Sequence, residues 1–293
     1  MKTNIPWLLL GLVLLTGAAP AVAAEAGWQR PFSEVAGLPA RAPDRVLAYG
    51  NGESQFIELW LPPDATIPAP VVVLLHGGCW LSDYGIAHIR PLAAALADAG
   101  FAVWALEYRR VGEAGGGWPG TFHDIAAGVD LLATVNEPRL DRSRVVFAGH
   151  SAGGHLALWA AGRPKLGPGR ALQTGRPLMP RAVLGLAAIT DLATYARGGN
   201  SCERVAARLL DGAPEAQPER YAEASPAALG VAVPAVLLQG GADTIVDPAQ
   251  ADALPGGRVV LLPEAGHFDL IHPQTPAFGR IVALLEDVLG DAR

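Results

Sequence analysis

The sequence predicts an α/β protein whose central sheet is mostly parallel. Short apolar segments rich in β-branched residues alternate with longer segments in which apolar residues recur at helical spacing. Several short segments are apolar at every position, which is typical of strands covered by helices on both faces. Strands that alternate with helices form βαβ units, and such units produce a parallel sheet.

The individual elements follow from this alternation. Strands are predicted at residues 56–61, 71–75, 102–106, 145–148, 183–188, 235–238 and 259–262. Helices are predicted at residues 89–99, 125–135, 154–161 and 278–289. A hairpin that pairs residues 45–49 with residues 56–61 through Asn51-Gly52 leads into a sheet of about eight strands.

Composition indicates one large domain with no surface for nucleic acid. The chain has 293 residues, of which 51% are hydrophobic, and its formal net charge is −6 without any basic run. Binding to nucleic acid depends on clustered Lys and Arg, so the sequence argues against such a partner. Because no linker or repeat divides the chain, residues 25–293 are predicted to form a single domain.

Residues 1–24 are predicted to be a signal peptide. Lys2 supplies a positive start, residues 7–16 are apolar, and Ala21-Val22-Ala23 offers small residues for cleavage. The expected location is the bacterial periplasm or the medium, with no stable membrane association after cleavage. A retained amino-terminal anchor is the alternative, although the apolar run is shorter than the roughly 20 residues that span a bilayer.

Ser151 is the candidate nucleophile. It lies in Gly149-His150-Ser151-Ala152-Gly153, after a buried strand and before a helix, which is the context that a nucleophile elbow requires. The amino terminus of the following helix would direct N–H groups toward developing negative charge.

His76-Gly77-Gly78-Cys79-Trp80 follows another buried strand and is the candidate oxyanion loop. Adjacent glycines let the backbone approach a substrate, so the N–H groups of Gly77, Gly78 and Ala152 are predicted to bind the oxyanion. The neighbouring histidines are predicted to be structural; they are His76, His150 and His155.

A serine needs a base, and the base needs an acid that orients it. Asp243 and His267 each follow a strand near the end of the chain, and they are the predicted acid and base. Asp247 is the rejected acid, because Asp247-Pro248 is typical of the start of a helix. His272 is the rejected base, and Asp191 and Asp269 are predicted to cap local structure or line the pocket.

The two cysteines and one long segment leave alternatives open. Cys79 and Cys202 would form a disulfide in an oxidising compartment, or remain two small buried side chains. Residues 191–229 are the candidate cap over the carboxyl edge of the sheet, or an ordinary connection. The pocket is expected to be lined by residues 80–88, residues 112–118 and this segment.

With these motifs the sequence resembles the α/β-hydrolase superfamily. It is similar to the esterase and arylformamidase (kynurenine formamidase)-like branch, whose oxyanion loop reads His-Gly-Gly-x-Trp beside Gly-His-Ser-Ala-Gly-Gly. Tyr108-Arg109, and Trp118-Pro119 ahead of Asp124, also match this group. The resemblance implies a central sheet flanked by helices, with a small cap insertion.

The leading hypothesis is a secreted serine hydrolase that cleaves short-chain or aryl carboxylic esters through an acyl-enzyme. An amide hydrolase of the arylformamidase type is the alternative, and a non-catalytic binding protein with the same fold comes third. The expected partner is a small ester. Neither a metal nor an organic cofactor is expected, because this mechanism needs none and the histidines show no metal-ligand spacing. The oligomeric state stays open.

Overall fold

The computed structural model describes residue 1, residues 27–63 and residues 67–290. The signal peptide predicted over residues 1–24 lies outside the described residues, apart from Met1. Within the described ranges, no helix is long and apolar enough to cross a membrane.

Eight strands form one sheet in the order β1-β2-β4-β3-β5-β6-β7-β8. The strands are β1 Arg45–Ala48, β2 Phe56–Trp60, β3 Ala69–Leu75, β4 Ala102–Leu106, β5 Leu140–His150, β6 Ala182–Leu186, β7 Ala235–Gly240 and β8 Arg258–Leu262. Only the pairings of β2 with β1 and with β4 are antiparallel, and all others are parallel. The predicted hairpin and mostly parallel sheet are therefore confirmed.

Ten helices precede, connect or follow the described strands. They are α1 Phe32–Gly37, α2 Arg90–Asp98, α3 Gly120–Leu131, α4 Ala152–Gly162, α5 Leu192–Tyr195, α6 Ser201–Leu209, α7 Pro218–Ala224, α8 Pro226–Leu229, α9 Ala249–Asp252 and α10 Pro276–Leu289. Three short 3₁₀ helices cover Ile86–Ile89, Arg163–Lys165 and Phe268–Ile271. Residues 191–229 thus contain four short helices.

Most predicted elements differ from the observed ones by one or two residues at an end, and two elements differ by more. The helix predicted at residues 125–135 begins at Gly120, directly after Pro119, whose ring suits the start of a helix. The strand predicted at residues 145–148 extends over Leu140–His150, because Leu140 and Asp141 pair with Ala69 and Pro70 and the polar residues 141–144 that follow Leu140 are only partly buried. A hydrophobicity pattern cannot detect that part of the strand.

The sheet separates two clusters of buried side chains. Along β3, Val71 and Val73 belong to one cluster while Val72 and Leu74 belong to the other, as expected when successive side chains point to opposite faces. Helix α4 is buried at every position, which explains why its sequence lacks a polar face.

The register of the sheet determines where its loops meet. Leu75 at the end of β3 lies opposite Gly149 in β5, and Gly240 at the end of β7 lies opposite Leu262 of β8. The loops that follow these four strands therefore emerge from the same edge. This edge carries every predicted catalytic residue.

Candidate active site

Ser151 lies between the last residue of β5 and the first residue of α4. Its backbone has φ 56° and ψ −120°, a conformation that costs a non-glycine residue about 1–3 kcal/mol. Two hydrogen bonds hold the turn: Ser151 N–H donates to the Leu186 carbonyl over 2.8 Å, and His155 N–H donates to the Ser151 carbonyl over 3.0 Å. The side chain of Ser151 lines a cavity at this edge.

The glycines on either side of Ser151 are required by the space available. A Cβ atom on Gly149 would lie 2.2 Å from the carbonyl oxygen of Gly153. A Cβ atom on Gly153 would lie 2.2 Å from the carbonyl oxygen of Leu75. Both separations are far below van der Waals contact with backbone that cannot move aside, so only glycine fits at these positions.

Asp243 and His267 form a direct pair. Asp243 follows β7, His267 follows β8, and His267 Nδ1 lies 2.7 Å from Asp243 Oδ2. A carboxylate only accepts hydrogen bonds, so Nδ1 is the nitrogen that carries the proton in a neutral ring, and Nε2 keeps its lone pair. This is the tautomer that can accept a proton from a hydroxyl group.

The surroundings of Asp243 favour its charged form. Burial raises the pKa of this carboxyl, but the hydrogen bond and charge of His267, together with two backbone N–H groups, lower it below its ordinary value. Those N–H groups belong to Ile245 and Val246, which donate to Asp243 Oδ1 over 2.8 and 2.9 Å. Asp243 is therefore negatively charged at neutral pH.

The rejected acid and base lie elsewhere. Asp247 Oδ1 accepts a hydrogen bond from Ala249 N–H at the start of α9, although the cap position itself is occupied by Pro248. His272 is buried, and its Nδ1 accepts a hydrogen bond from Gln274 N–H. Neither side chain lines the cavity that contains Ser151.

Asp191 and Asp269 both bind backbone N–H groups. Asp191 caps α5, because its side chain accepts hydrogen bonds from the N–H groups of Ala193 and Thr194. Asp269 accepts one from Gly266 N–H over 2.7 Å and so shapes the loop that carries His267.

His150 holds the same loop from the other side. Its Nε2 lies 3.0 Å from the carbonyl oxygen of His267, and the Nε2–H group donates a hydrogen bond to that oxygen. Complete burial, followed by the nearby charge of His267, lowers the pKa of His150 well below its usual range. The ring is therefore a neutral donor, and it supports His267 without competing for its proton.

The loop after β3 turns sharply over the nucleophile. Gly78, Cys79 and Trp80 have consecutive positive φ values of 106°, 53° and 56°. Within the described residues, the N–H groups of Gly77 and Gly78 donate to no acceptor, and neither does that of Ala152 in the first turn of α4. Within this part of the chain, the three predicted oxyanion donors therefore have no internal acceptor.

His76 does not line the cavity that contains Ser151. Its Nε2 lies 2.7 Å from Glu107 Oε1, and its ring stacks on Tyr108 with centroids 4.4 Å apart. Burial raises the pKa of Glu107, but His76 and Arg110 lower it more, to about 2. The Glu107 carboxylate also accepts Ile86 N–H over 2.8 Å, so one buried charge fixes the base of the oxyanion loop and the segment after it.

Two further connections tie this loop to residues 191–229. The structure joins Cys79 and Cys202 by a disulfide whose Cα atoms are 5.1 Å apart. Below it, His155 Nδ1 accepts a hydrogen bond from Trp80 Nε1–H over 3.2 Å, and His155 Nε2–H donates to the Ala224 carbonyl over 2.9 Å. The loop is thus connected covalently to α6 and through His155 to α7.

The cavity beside Ser151 has a volume of about 250 Å³. Apart from the nucleophile, His150 and His267, it is lined by Phe32, Gly78, Cys79, Tyr84, His88, Asn200, Ser201, Cys202, Thr244, Ile245 and Phe268. The expected contributions from residues 80–88 and from the segment 191–229 are present.

The expectation that residues 112–118 line the cavity is wrong. Trp118 packs against Phe122 and under Arg220, outside the cavity, because the glycine-rich loop folds back onto α3 and α7. Sequence reasoning also missed Phe32, for which no motif gives a signal. Phe268 and Ile245 could have been found, because Phe268 directly follows His267 and Ile245 lies in the same loop as Asp243.

Residues 27–63 and 67–290 contain no group of three or more His, Cys, Asp or Glu side chains that could hold a metal ion.

The fold defines the structural class of the protein. The structure has the α/β-hydrolase fold, and it resembles a carbohydrate esterase from gut microbiota with a TM-score of 0.70 at 20% identity, covering 85% of this chain and 100% of that one. Esterase B of Lactobacillus rhamnosis gives a TM-score of 0.71 at 20% identity, covering 86% of this chain and 89% of that one.

The sequence gives the family. Residues 57–256 match the BD-FAE family, and the chain belongs to it. The probable carboxylic ester hydrolase LipM of Mycobacterium tuberculosis is 30% identical over 127 residues, which are 42% of this chain and 29% of that protein. Esterase LipC of the same organism is 30% identical over 118 residues, 40% of this chain and 29% of that protein. The chain thus matches less than a third of the length of these curated relatives.

Proposed function

We propose that this protein is a serine hydrolase that cleaves carboxylic esters through an acyl-enzyme. The observation that carries the proposal is the 2.7 Å contact between His267 Nδ1 and the Asp243 carboxylate, in a loop that lines the same cavity as Ser151. Family membership and the esterases among its relatives support the same reaction.

Each group has one role in the proposed reaction. His267 Nε2 removes the proton from the Ser151 hydroxyl as its oxygen attacks the ester carbonyl, and it then protonates the departing alcohol. Asp243 keeps the proton on Nδ1 and stabilises the imidazolium that forms. Water then attacks the acyl-enzyme by the same route and releases the acid.

The negative charge that develops on the carbonyl oxygen needs donors already in place. We assign this role to the N–H groups of Gly77, Gly78 and Ala152, because they have no acceptor of their own in the described chain. Removing one such donor typically costs roughly 3–4 kcal/mol of transition-state stabilisation. None of these steps calls on a metal or an organic cofactor.

We infer that the substrates are small esters with a short acyl or aryl group. The cavity is small, at about 250 Å³, and its lining is dominated by aromatic and other apolar side chains. Residues 191–229 act in this proposal as a small cap, because Asn200, Ser201 and Cys202 from that segment line the cavity.

We also propose that the protein is exported, with residues 1–24 as its signal peptide and the periplasm or the medium as its location. A disulfide between Cys79 and Cys202 supports this proposal, because disulfides persist in oxidising compartments and are rare in the cytosol. An N-terminal sequence of the exported protein that starts near residue 25 would establish the cleavage.

Labelling with a fluorophosphonate probe tests the reaction. We expect the wild-type protein to be labelled and Ser151→Ala to remain unlabelled. Ser201→Ala is the matched control, because Ser201 lines the same cavity and this variant should keep full labelling. Absence of labelling in the wild type would instead favour a non-catalytic binding protein, and equal labelling of Ser151→Ala would remove Ser151 as the nucleophile.

A substrate panel then tests the bond that is cleaved. On p-nitrophenyl acetate, butyrate and octanoate we expect kcat/KM to fall as the acyl chain lengthens. Methyl ferulate tests an aryl acyl group, and N-formylkynurenine tests the arylformamidase-like alternative. Faster turnover of octanoate than of acetate contradicts the size inference, and cleavage of N-formylkynurenine alone contradicts the ester hydrolase.

A further inference from the structure

The amino-terminal arm, residues 27–38, reaches the cavity although it lies far from the catalytic motifs in sequence. Its helix α1 begins at Phe32, and the ring of Phe32 is part of the cavity lining. The arm also lies outside residues 57–256, which match the family. This wall of the cavity is therefore a feature of the chain beyond the matched region.

Phe32 packs against aromatic rings from two other segments. Its ring centroid lies 5.5 Å from that of Tyr84 in an edge-on arrangement, 5.6 Å from that of His88, and 5.4 Å from that of Phe268. Edge-on and tilted ring contacts at these distances are favourable. All four rings line the cavity, and Phe32 is the only one of them that the arm supplies.

A buried carboxylate binds the backbone of the arm just before Phe32, in addition to the packing of Val35 in the core. Asp269 Oδ2 accepts Gln29 N–H over 2.6 Å, and Asp269 Oδ1 accepts Arg30 N–H over 3.0 Å. The same Oδ2 accepts Gly266 N–H, next to His267, over 2.7 Å. Asp269 is completely buried, so it has no water to replace these donors if they are lost.

We propose that Phe32 is a specificity-determining residue that limits the size of the substrate group held beside Ser151, and that Asp269 is the positioning residue that keeps Phe32 there. The proposal rests on the proposed ester hydrolysis for its kinetic test. Because the Phe32 ring forms part of a small cavity, its removal adds volume continuous with that cavity. Asp269 acts only through the arm and the His267 loop.

Phe32→Ala tests the limit. Each additional methylene that the enlarged cavity buries is worth about fourfold in kcat/KM. We therefore expect the ratio of kcat/KM for octanoate to that for acetate to rise about tenfold or more, since several methylenes gain room. Phe32→Trp should lower the same ratio, and Phe32→Leu should give an intermediate value.

The matched control is Phe278→Ala. Phe278 is also half-buried and packs against the core, but it does not line the cavity, so this variant should keep the wild-type ratio. A ratio that stays within about twofold of wild type in Phe32→Ala, while Phe32→Trp is equally silent, overturns the proposal.

Asp269→Asn tests the positioning role. An amide has one oxygen for the three N–H groups and places its own N–H₂ against one of them. We expect the octanoate-to-acetate ratio to rise as in Phe32→Ala, and kcat for acetate to fall because the His267 loop loosens. Adding Asp269→Asn to Phe32→Ala should raise the ratio no further. A lower kcat with an unchanged ratio overturns the role of Asp269 in placing the arm.

Binding of free octanoate by calorimetry separates this proposal from the proposed function, because it needs no turnover. We expect Phe32→Ala to bind octanoate about tenfold more tightly than the wild type does. If the wild type hydrolyses no ester and this gain is still present, ester hydrolysis fails and the size limit stands. If esters are hydrolysed and neither binding nor the kinetic ratio changes, the size limit fails alone.

Discussion

The loops that carry the chemistry and the elements that cover them are held in different ways. The strand-end loops, residues 76–80, 149–153, 241–247 and 263–269, lie at the carboxyl ends of parallel strands. The ends of β3, β5 and β7 are buried, whereas β8 is the more exposed edge strand. The covering elements are the amino-terminal arm and α6. Each of them reaches the strand-end loops through one strong connection, the Asp269 carboxylate for the arm and the Cys79–Cys202 disulfide for α6.

This difference separates rate from selectivity. The strand-end loops are fixed by the sheet and by buried hydrogen bonds, which suits groups that must be placed within a fraction of an ångström. The covering elements supply Phe32, Asn200, Ser201 and Cys202 to the cavity lining, and these four side chains are not among the predicted catalytic groups. We therefore expect changes in the loops to alter kcat and changes in the covering elements to alter substrate preference and stability.

The largest effect is expected from Asp243→Asn. Asp243 Oδ1 accepts two backbone N–H groups, so the amide oxygen of the variant stays at that position and its N–H₂ faces His267 Nδ1. His267 must then accept a hydrogen bond at Nδ1 and carry its proton on Nε2, where it cannot take the proton of Ser151. We expect kcat for p-nitrophenyl acetate to fall roughly ten-thousand-fold.

Asp247→Asn is the matched control for this prediction. Asp247 is a neighbouring carboxylate, but it binds Ala249 N–H and does not line the cavity. Its replacement should change kcat less than about threefold, as expected for a surface substitution. A larger loss in Asp247→Asn than in Asp243→Asn would transfer the acid role to Asp247.

Much of the fold could be predicted because buried parallel strands leave a strong signal. The segments around Val71 and Val145 are apolar on both faces, and their order together with the helices between them leaves few possible topologies. The start of β5 could not be predicted, because its polar residues pair only with a neighbouring strand. Such pairing depends on tertiary structure and leaves no periodicity in the sequence.

The strand-end loops could be predicted for the same reason. Gly149 and Gly153 are dictated by local clashes, so they appear in the sequence at a fixed spacing from the nucleophile. Phe32 has no such spacing, because it reaches the cavity from a distant segment whose backbone binds Asp269. A contact across more than 200 positions between a carboxylate and backbone N–H groups cannot be read from side-chain patterns.

Removal of the disulfide tests a covering element. The bridge closes a loop of 123 residues, and we expect Cys79→Ala/Cys202→Ala to lower the free energy of unfolding by about 2–4 kcal/mol. Glu107 and His155 still hold the oxyanion loop, so kcat for acetate should change less than about threefold while KM rises. Urea unfolding and steady-state kinetics measure the two effects.

Treatment of the wild-type protein with a reductant is the control, and it should reproduce both changes. If kcat falls a hundredfold in the double variant while stability is unchanged, α6 positions the oxyanion donors, and the division between loops and covering elements is wrong.

The smallest effect concerns His155, which connects the two regions by binding Trp80 on one side and Ala224 on the other. Complete burial lowers the pKa of His155 from 6.5 to about 4, against a smaller opposing effect of its hydrogen bond to Ala224. Between these values the unfolded chain binds a proton that the folded protein does not. The free energy of unfolding should therefore fall with decreasing pH by up to about 1.4 kcal/mol per pH unit from this residue.

Urea unfolding of His155→Gln between pH 4 and pH 7 isolates this contribution. Glutamine can donate to the Ala224 carbonyl and has no proton to gain, so the slope of stability against pH should decrease by about one proton. His123→Gln is the matched control, because half-buried His123 also donates to a carbonyl, that of Ala171, and its replacement should keep the wild-type slope. An unchanged slope in His155→Gln would mean that His155 is protonated in the folded state, and the connection between Trp80 and α7 would then need a different donor arrangement.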